Sequence, residues 1–464
     1  MIFFGIVWAG VSTWAFLHIL QSNLPTGRVY IFVTRIIRDW NMQRCLVVQT
    51  RRAESGSGFM QTNVQTCISG VERLLHCHRF RLLWVGFATA CSLTLVQNWG
   101  IHLDGARPTY AVGDLLLNYA GGPSRRGVLG AVAISLSQVF GGEPWIWAWT
   151  LGCGLTGLLV TFCIRMFRRL PDDPRFMPLI LAPWGLLFFA YDTGAALRKE
   201  LLAYLALMLI LQAMGARRAL TALVWVLIGS AVFLAGLFAH EAVVLTAPAQ
   251  VLAMMLVSRK WPELRRALMA VVVVAAIAAV AIVVSLALLP APDIVAICAA
   301  AQVGCFPAAE WLGRSTIDNI SFTLMLRGWL DVLVICGVGG LCVVPLLGFH
   351  ADNLTRGQQI VALGVAVGFV VPLFVLATDW GRWVQMAFFP LCLVALAAVP
   401  DGFMRYRRVL PVWAAVLYVA SWNLMHTNFP VGFWAVLILP ALGGVVWGVA
   451  MVSKCLAKSG DKRR

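Results

Sequence analysis

The chain has 464 residues, of which 61% are hydrophobic and only 12% charged, with a mean hydropathy of +0.84. A soluble globular domain carries about 25% charged residues, so this composition excludes an ordinary water-soluble fold. The net charge of +16 is spread over short segments between apolar runs, which argues against nucleic acid as a partner and fits orientation in a membrane by loop charge.

In chain order, residues 1–20 are apolar but lack a basic n-region and a small-residue cleavage site. They read as an extra span or an interfacial helix and not as a signal peptide. Residues 21–81 are polar and basic, with the stretch "ESGSG", and read as a loosely packed cytoplasmic segment. A bundle then occupies 82–452, and 453–464 is a basic cytoplasmic tail. Apolar runs of spanning length predict twelve helices, or thirteen with the extra span. They fall near 82–99, 145–166, 176–191, 200–214, 219–238, 242–257, 267–289, 329–348, 359–377, 383–399, 409–422 and 432–452. The expected class is an all-α polytopic transmembrane bundle, because a helix satisfies its own backbone in lipid.

The stretch "GVLGAVAISLSQVFG" at 127–141 is apolar enough to be read as another span. Counting it would flip every later loop and put "RMFRRLPDDPR" outside. It is therefore read as an interfacial helix within a long first outer loop, 100–144. With that choice, 28 of the 36 Lys and Arg fall on the inner side and 8 on the outer. Loop charge of this kind predicts that both ends of the twelve-span bundle are cytoplasmic.

The outer segments hold the residues that need explaining. The first loop carries Asp104, Asp114 and "NYAGGPSRRG", with Arg125 and Arg126. "ALRKELL" puts Arg198, Lys199 and Glu200 at the start of an apolar run, "AHEA" sets His240 beside Glu241, and "TDWGR" holds Asp379 and Arg382. Singly, each has a bland account: a long cation can snorkel to the headgroups, and neighbouring opposite charges can pair at a helix end. Together, ionisable residues at membrane depth are functional candidates. Arginine suits phosphate because its planar fork gives two parallel charge-assisted bonds. Thus Arg125, Arg126, Arg198, Lys199, Arg382 and His240 are the candidate phosphate contacts. The carboxylates Asp104, Asp114, Glu241 and Asp379 are the candidate catalytic groups, as general base. A divalent cation held by such carboxylates is a possible cofactor. The glycine pair of "YAGGPSRRG" would let backbone amides approach an anion closely.

Six of the 12 cysteines, Cys91, Cys153, Cys163, Cys336, Cys342 and Cys392, lie inside the predicted spans and read as small apolar side chains. Cys298 and Cys305 instead share the outer loop between Leu289 and Arg327, where a local disulfide is preferred over two unpaired thiols. No CxxC, HExxH or GxxxxGK[ST] pattern occurs, so nothing supports a zinc site or a nucleotide-driven pump on this chain.

At these residues the chain resembles two related groups. One is the C-superfamily of integral-membrane glycosyltransferases, with its long first outer loop and an acidic residue near the loop's start, here Asp104, with Asp114 as second candidate. The other is the bacterial O-antigen- and exopolysaccharide-polymerase-like group, whose outer-face arginines are matched by Arg125, Arg126, Arg198 and Arg382. "RRGVLG", "RKELL", "HEA" and "DWGRW" look like signatures of bacterial envelope proteins of this type. The resemblance implies the bacterial inner membrane, a polyprenyl-phosphate-linked sugar and membrane lipid as partners, and sugar transfer or polymerisation at the outer face. Two alternatives stay open: a secondary transporter or flippase for a lipid-linked or anionic envelope substrate, and a non-catalytic component of an envelope assembly machine.

Overall fold

The computed structural model describes residues 110–407 apart from 125, 172–175, 181, 186–187, 189–196, 315 and 352–354, together with Tyr418 and Leu424. All of these residues belong to one compact unit, 70–464. The fold is almost wholly helical. Two short helices open it: α1, Tyr110–Leu116, and α2, Val128–Phe140. The helix α3, Pro144–Phe167, begins with proline at its first position, where the fixed φ suits a helix start and no hydrogen bond is lost. A single turn, α4, covers Met177–Ile180.

The next helices form the centre. Helix α5, Leu201–Gln212, continues as a 3-10 turn to Gly215. Helix α6 is Ala219–Ala239, and a 3-10 turn, Glu241–Thr246, leads into α7, Ala247–Lys260. Helix α8 is Arg265–Ala287, followed by three short helices: α9, Ile294–Ala300, α10, Pro307–Leu312, and α11, Thr316–Leu326. Helix α12 is Trp329–Leu346, α13 is Arg356–Gly368, α14 is Leu373–Leu376 and α15 is Trp380–Ala398. Two short strands, β1 (Phe349–His350) and β2 (Arg405–Tyr406), pair antiparallel with Phe349 opposite Tyr406.

Among the described residues, seven helical segments are long and apolar enough to cross a membrane, beginning at Pro144, Ala219, Glu241, Pro262, Trp329, Gly357 and Trp380. Each coincides with a predicted span. The predicted spans 82–99, 409–422 and 432–452 lie in regions that are largely or wholly outside the described residues, and so does part of 176–191. The stretch 127–141 contains α2, whose 13 residues reach about 20 Å at 1.5 Å per residue. That is short of a hydrocarbon core of about 30 Å.

The predicted span 200–214 differs from the rest. From Leu201 to Gly215 it reaches only about 22 Å, and nearly every residue of it is buried by protein. Helix α15 is buried along its whole length, whereas α8 exposes Val273, Val274, Ile277 and Val280, as a lipid-facing helix does. Helices α5 and α15 therefore form the inside of the bundle, wrapped by the other spans.

One glycine sets the closest approach. A Cβ on Gly229 of α6 would lie 2.6 Å from Ile210 Cγ1 and 2.8 Å from the Ala206 carbonyl of α5. Small residues at such crossings let membrane helices meet backbone to backbone.

At its C-terminal end α5 is held by cations. Arg169 and Lys260 both donate to the Met214 carbonyl, at 2.9 and 2.5 Å, and the Trp261 indole donates to that of Ala213. Asp401 pairs with Lys260 at 2.5 Å and lies 3.6 Å from Arg169. Unsatisfied carbonyls at a helix C-terminus favour positive charge. The loops near residues 169, 260, 349 and 405 thus gather at one end of the bundle, and 126, 199, 241 and 382 gather at the other.

Gly229→Ala is expected to lower stability by about 1–3 kcal/mol, because the backbone contact with α5 must open. Gly364→Ala, which meets nothing within 4 Å, is expected to be neutral or slightly stabilising. Thermal unfolding of the two variants in the same detergent compares them.

Candidate functional site: a buried charge cluster

The N-terminal end of α5 carries Arg198, Lys199 and Glu200 into the protein. Snorkelling is ruled out for this group by burial: Lys199 is 0% exposed, Glu200 2% and Arg198 3%. A charge held away from water needs an opposite charge beside it, and Lys199 and Glu200 each find one brought from far along the chain.

Glu200 Oε1 lies 3.0 Å from Arg382 Nη1 and 3.3 Å from His240 Nε2. Arg382, in the first turn of α15, also holds Asp379 through Nη2 at 2.5 Å. Its guanidinium stacks on the Trp383 ring at 4.3 Å. Arg126 makes a two-pronged bond with Glu241, Nη2 to Oε1 at 2.6 Å and Nε to Oε2 at 3.2 Å. Lys199 Nζ donates to the Arg126 carbonyl at 2.6 Å and lies 3.7 Å from Asp114 Oδ1. Arg198 lies over the Tyr110 ring at 4.5 Å, a favourable cation–π distance. Among the described residues, Arg126, Arg198, Lys199 and Arg382 balance Asp114, Glu200, Glu241 and Asp379 charge for charge.

His240 joins the two halves. Its Nδ1 accepts from the Ala242 N–H at 3.1 Å, so that nitrogen carries no proton. The ring proton is therefore assigned to Nε2, facing Glu200, and the imidazole is neutral. Burial, reinforced by the Arg126 charge and opposed by Glu200 and Glu241, lowers it to about 4. Burial pushes the Asp114 carboxyl up, but the charges of Lys199 and Arg126 outweigh it and hold it at about 2. Burial lowers the Lys199 ammonium to about 8, against the pull of Asp114.

The turn that delivers Arg126 is fixed by its neighbours. Asn118 is buried and donates to the carbonyls of Leu116 and Ile297, at 3.1 and 3.0 Å. The Asp293 N–H donates to the Gly121 carbonyl at 2.9 Å, so closely that a Cβ on Gly121 would lie 2.1 Å from Asp293 O. Gly122 has φ +102, a left-handed value that suits glycine. The glycine pair therefore shapes the turn and admits Asp293. The Gly122 amide is taken by Tyr119 O, which removes that donor from the expected anion cradle. A disulfide, Cys298–Cys305, with Cα atoms 5.1 Å apart, closes the α9–α10 segment that packs on this turn.

Of the residues expected from the sequence, Asp114, Arg126, Arg198, Lys199, His240, Glu241, Asp379 and Arg382 meet in this one cluster. Asp104 and Arg125 lie outside the described residues. Two of the eight sit where a ligand role does not suit them. Lys199 is fully buried and bound to the Arg126 turn, and Asp114 is buried against Lys199, so both are scaffold here. Arg126 and Glu241 form the most open ion pair of the cluster among the described residues, with side chains 24% and 29% exposed.

Sequence reasoning set Glu200 aside as an anchoring charge and passed over Tyr110. The available signal was the run of three unlike charges "RKE": successive residues on a turn point in different directions, so each needs a partner of its own. No group of three or more His, Cys, Asp or Glu suited to a metal ion occurs among the described residues. No family model, curated protein or solved structure matches the chain.

Two outcomes test the cluster's internal economy of charge. Glu200→Gln leaves Arg382 with half its partners and is expected to destabilise the protein by about 3–5 kcal/mol in thermal unfolding. His240 has a folded value below its ordinary 6.5, so the unfolded chain takes the proton first. Stability is therefore expected to fall as pH drops from about 6.5 to 4, by on the order of 3 kcal/mol, and His240→Gln to remove that limb of the melting-temperature profile.

Proposed function

We propose that this chain is a membrane-embedded transferase that moves a sugar from a polyprenyl-phosphate-linked donor to an acceptor hydroxyl at the outer face of the bacterial inner membrane. The observation that carries the reading is the half-open pair of Arg126 and Glu241 at the margin of an otherwise buried, charge-balanced cluster. A guanidinium already held in two-pronged geometry by a carboxylate offers the same two bonds to a phosphate. The carboxylate beside it lies where an acceptor hydroxyl would be deprotonated.

In the step itself, the acceptor oxygen bonds to the anomeric carbon while the bond from that carbon to the phosphate oxygen breaks. The hydroxyl proton goes to Glu241. The electron pair leaves on the phosphate, and Arg126 stabilises the charge that develops there. Arg382 and His240 keep Glu200 and Glu241 in place from behind. The donor's polyprenyl chain would lie along the apolar outside of the bundle, against α2 and its neighbours. The loops near residues 169, 260 and 405, rich in Lys and Arg, would face the cytoplasm.

A second reading has its own support. Glu200 and Met214, which mark the two charged ends of α5, are about 20 Å apart along the helix. A hydrocarbon core is about 30 Å thick. At least one charged layer is therefore recessed below a lipid boundary, which suits a carrier or flippase with its site nearer the midplane.

Purified protein in vesicles with a labelled polyprenyl-phosphate sugar separates the two. Transfer predicts label in the acceptor and release of the polyprenyl phosphate. Carriage predicts that the lipid changes sides with its sugar bond intact. Arg126→Lys is expected to cut turnover at least tenfold, because lysine keeps the charge and loses the fork. Unchanged turnover in that variant would sink the phosphate-contact role.

A further inference from the structure

Glu241 holds Arg126 as a phosphate would, and it has somewhere else to go. Its Oε2 lies 3.8 Å from His240 Nδ1, the nitrogen that now accepts only from the Ala242 amide. We propose that Glu241 is a placeholder: an incoming phosphodiester takes Arg126, Glu241 passes to His240, and His240 gains one proton from solvent on Nδ1, exchanging the Ala242 N–H it now accepts for a bond it donates to Glu241.

The proposal rests on the reading of the site as a phosphate-lipid site and names how that ligand gets in. The charges explain why a proton must follow. The cluster is neutral as it stands, with four cations and four carboxylates among the described residues. A phosphodiester brings one further negative charge into a buried place, where an unbalanced charge is severely penalised. The groups that face His240 are Arg126, Asp114, Glu200 and Glu241. Of these only Arg126 is a cation, and the ligand neutralises it. Arg382 stays on the Glu200 oxygen that faces His240, and Lys199 stays on Asp114, so Glu241 is the carboxylate left without a cation, beside an imidazole whose Nδ1 it can bond. Arg126 itself need not move, because Lys199 pins its carbonyl.

Exchange of partners also explains why this pair is the most open to solvent in the cluster. Arg382 is far less exposed than Arg126 in its pairs with Glu200 and Asp379, and Lys199 with Asp114 is closed off entirely. A ligand arriving from outside meets Arg126 first.

The test is calorimetric titration of the protein in detergent with a short prenyl methyl phosphodiester, whose single charge does not change across the working pH. Wild type is expected to take up close to one proton on binding, seen as a dependence of the heat on buffer ionisation enthalpy. It is expected to bind several-fold more tightly for each pH unit lowered between 8 and 6. Glu241→Gln is expected to bind at least tenfold tighter without proton uptake, since the competing carboxylate is gone. His240→Gln is expected to bind more weakly than wild type and independently of pH. Should Glu241→Gln fail to fold, Glu241→Asp, too short to reach both guanidinium nitrogens, carries the same expectation at several-fold.

Equal or weaker binding by a folded Glu241 variant overturns the placeholder, as does an absence of binding by both wild type and variant. Binding by wild type with no proton uptake overturns the part given to His240. Tightened binding in Glu241→Gln with no sugar transfer by wild type keeps the placeholder and removes the transferase. Transfer without tightening does the reverse.

Discussion

A carboxylate taken out of water is tolerated only with a cation in contact, and Glu200 is the carboxylate on which this structure turns. It stands at the head of the buried helix α5 and collects Arg382 from 182 positions later and His240 from 40 later. Through these two it reaches Asp379 and Glu241, and through Glu241 it reaches Arg126. Helices α5, α6, α7 and α15 are thereby tied at one end by charge, and α5, α7 and α15 are tied at the other by Arg169, Lys260 and Asp401 around the last carbonyls of α5. Lipid cannot drive these helices together, because it is as apolar as their surfaces. Packing at Gly229 and the two polar layers do that work instead.

The burial that stabilises the cluster also divides it by accessibility. Charges matched in the interior are fixed in position and supply electrostatics without rearrangement. The Arg126–Glu241 pair sits where matching is complete but water is near, so it can be remade with another partner. A rigid interior with one exchangeable pair at its margin is the arrangement that the proposed headgroup site would require: the interior would set geometry, and the margin would do the binding.

Much of this could be read from the residues, and the parts that could not have identifiable causes. Seven described spans were legible because uninterrupted apolar length is a direct record of bilayer thickness. His240 and Glu241 stood out because a single short turn cannot hide two ionisable groups. The partnerships were not legible. Nothing local in "RKELL" says that Lys199 serves the Arg126 carbonyl while Glu200 serves Arg382, since that choice is made by how α5 is rotated against α15 and the α1–α2 turn. The burial of α5 was missed because hydropathy does not distinguish a helix sheathed in lipid from one sheathed in protein. The glycine pair was misjudged for a related reason. Small residues admit any close neighbour, and the neighbour turned out to be Asp293 of the disulfide-closed segment.

The separation between Glu200 and Arg382 has a consequence in time. A ribosome adding roughly 5–20 residues per second reaches Arg382 about 10–35 seconds after Glu200 has emerged. Until then the acid at the head of α5 has no guanidinium from α15 to meet. His240, made only a few seconds behind it, is the first companion to arrive. The nascent bundle must therefore stay loose around this spot, letting water or a proton accompany the orphan acid, and can tighten only when one of its last inward helices slides into place.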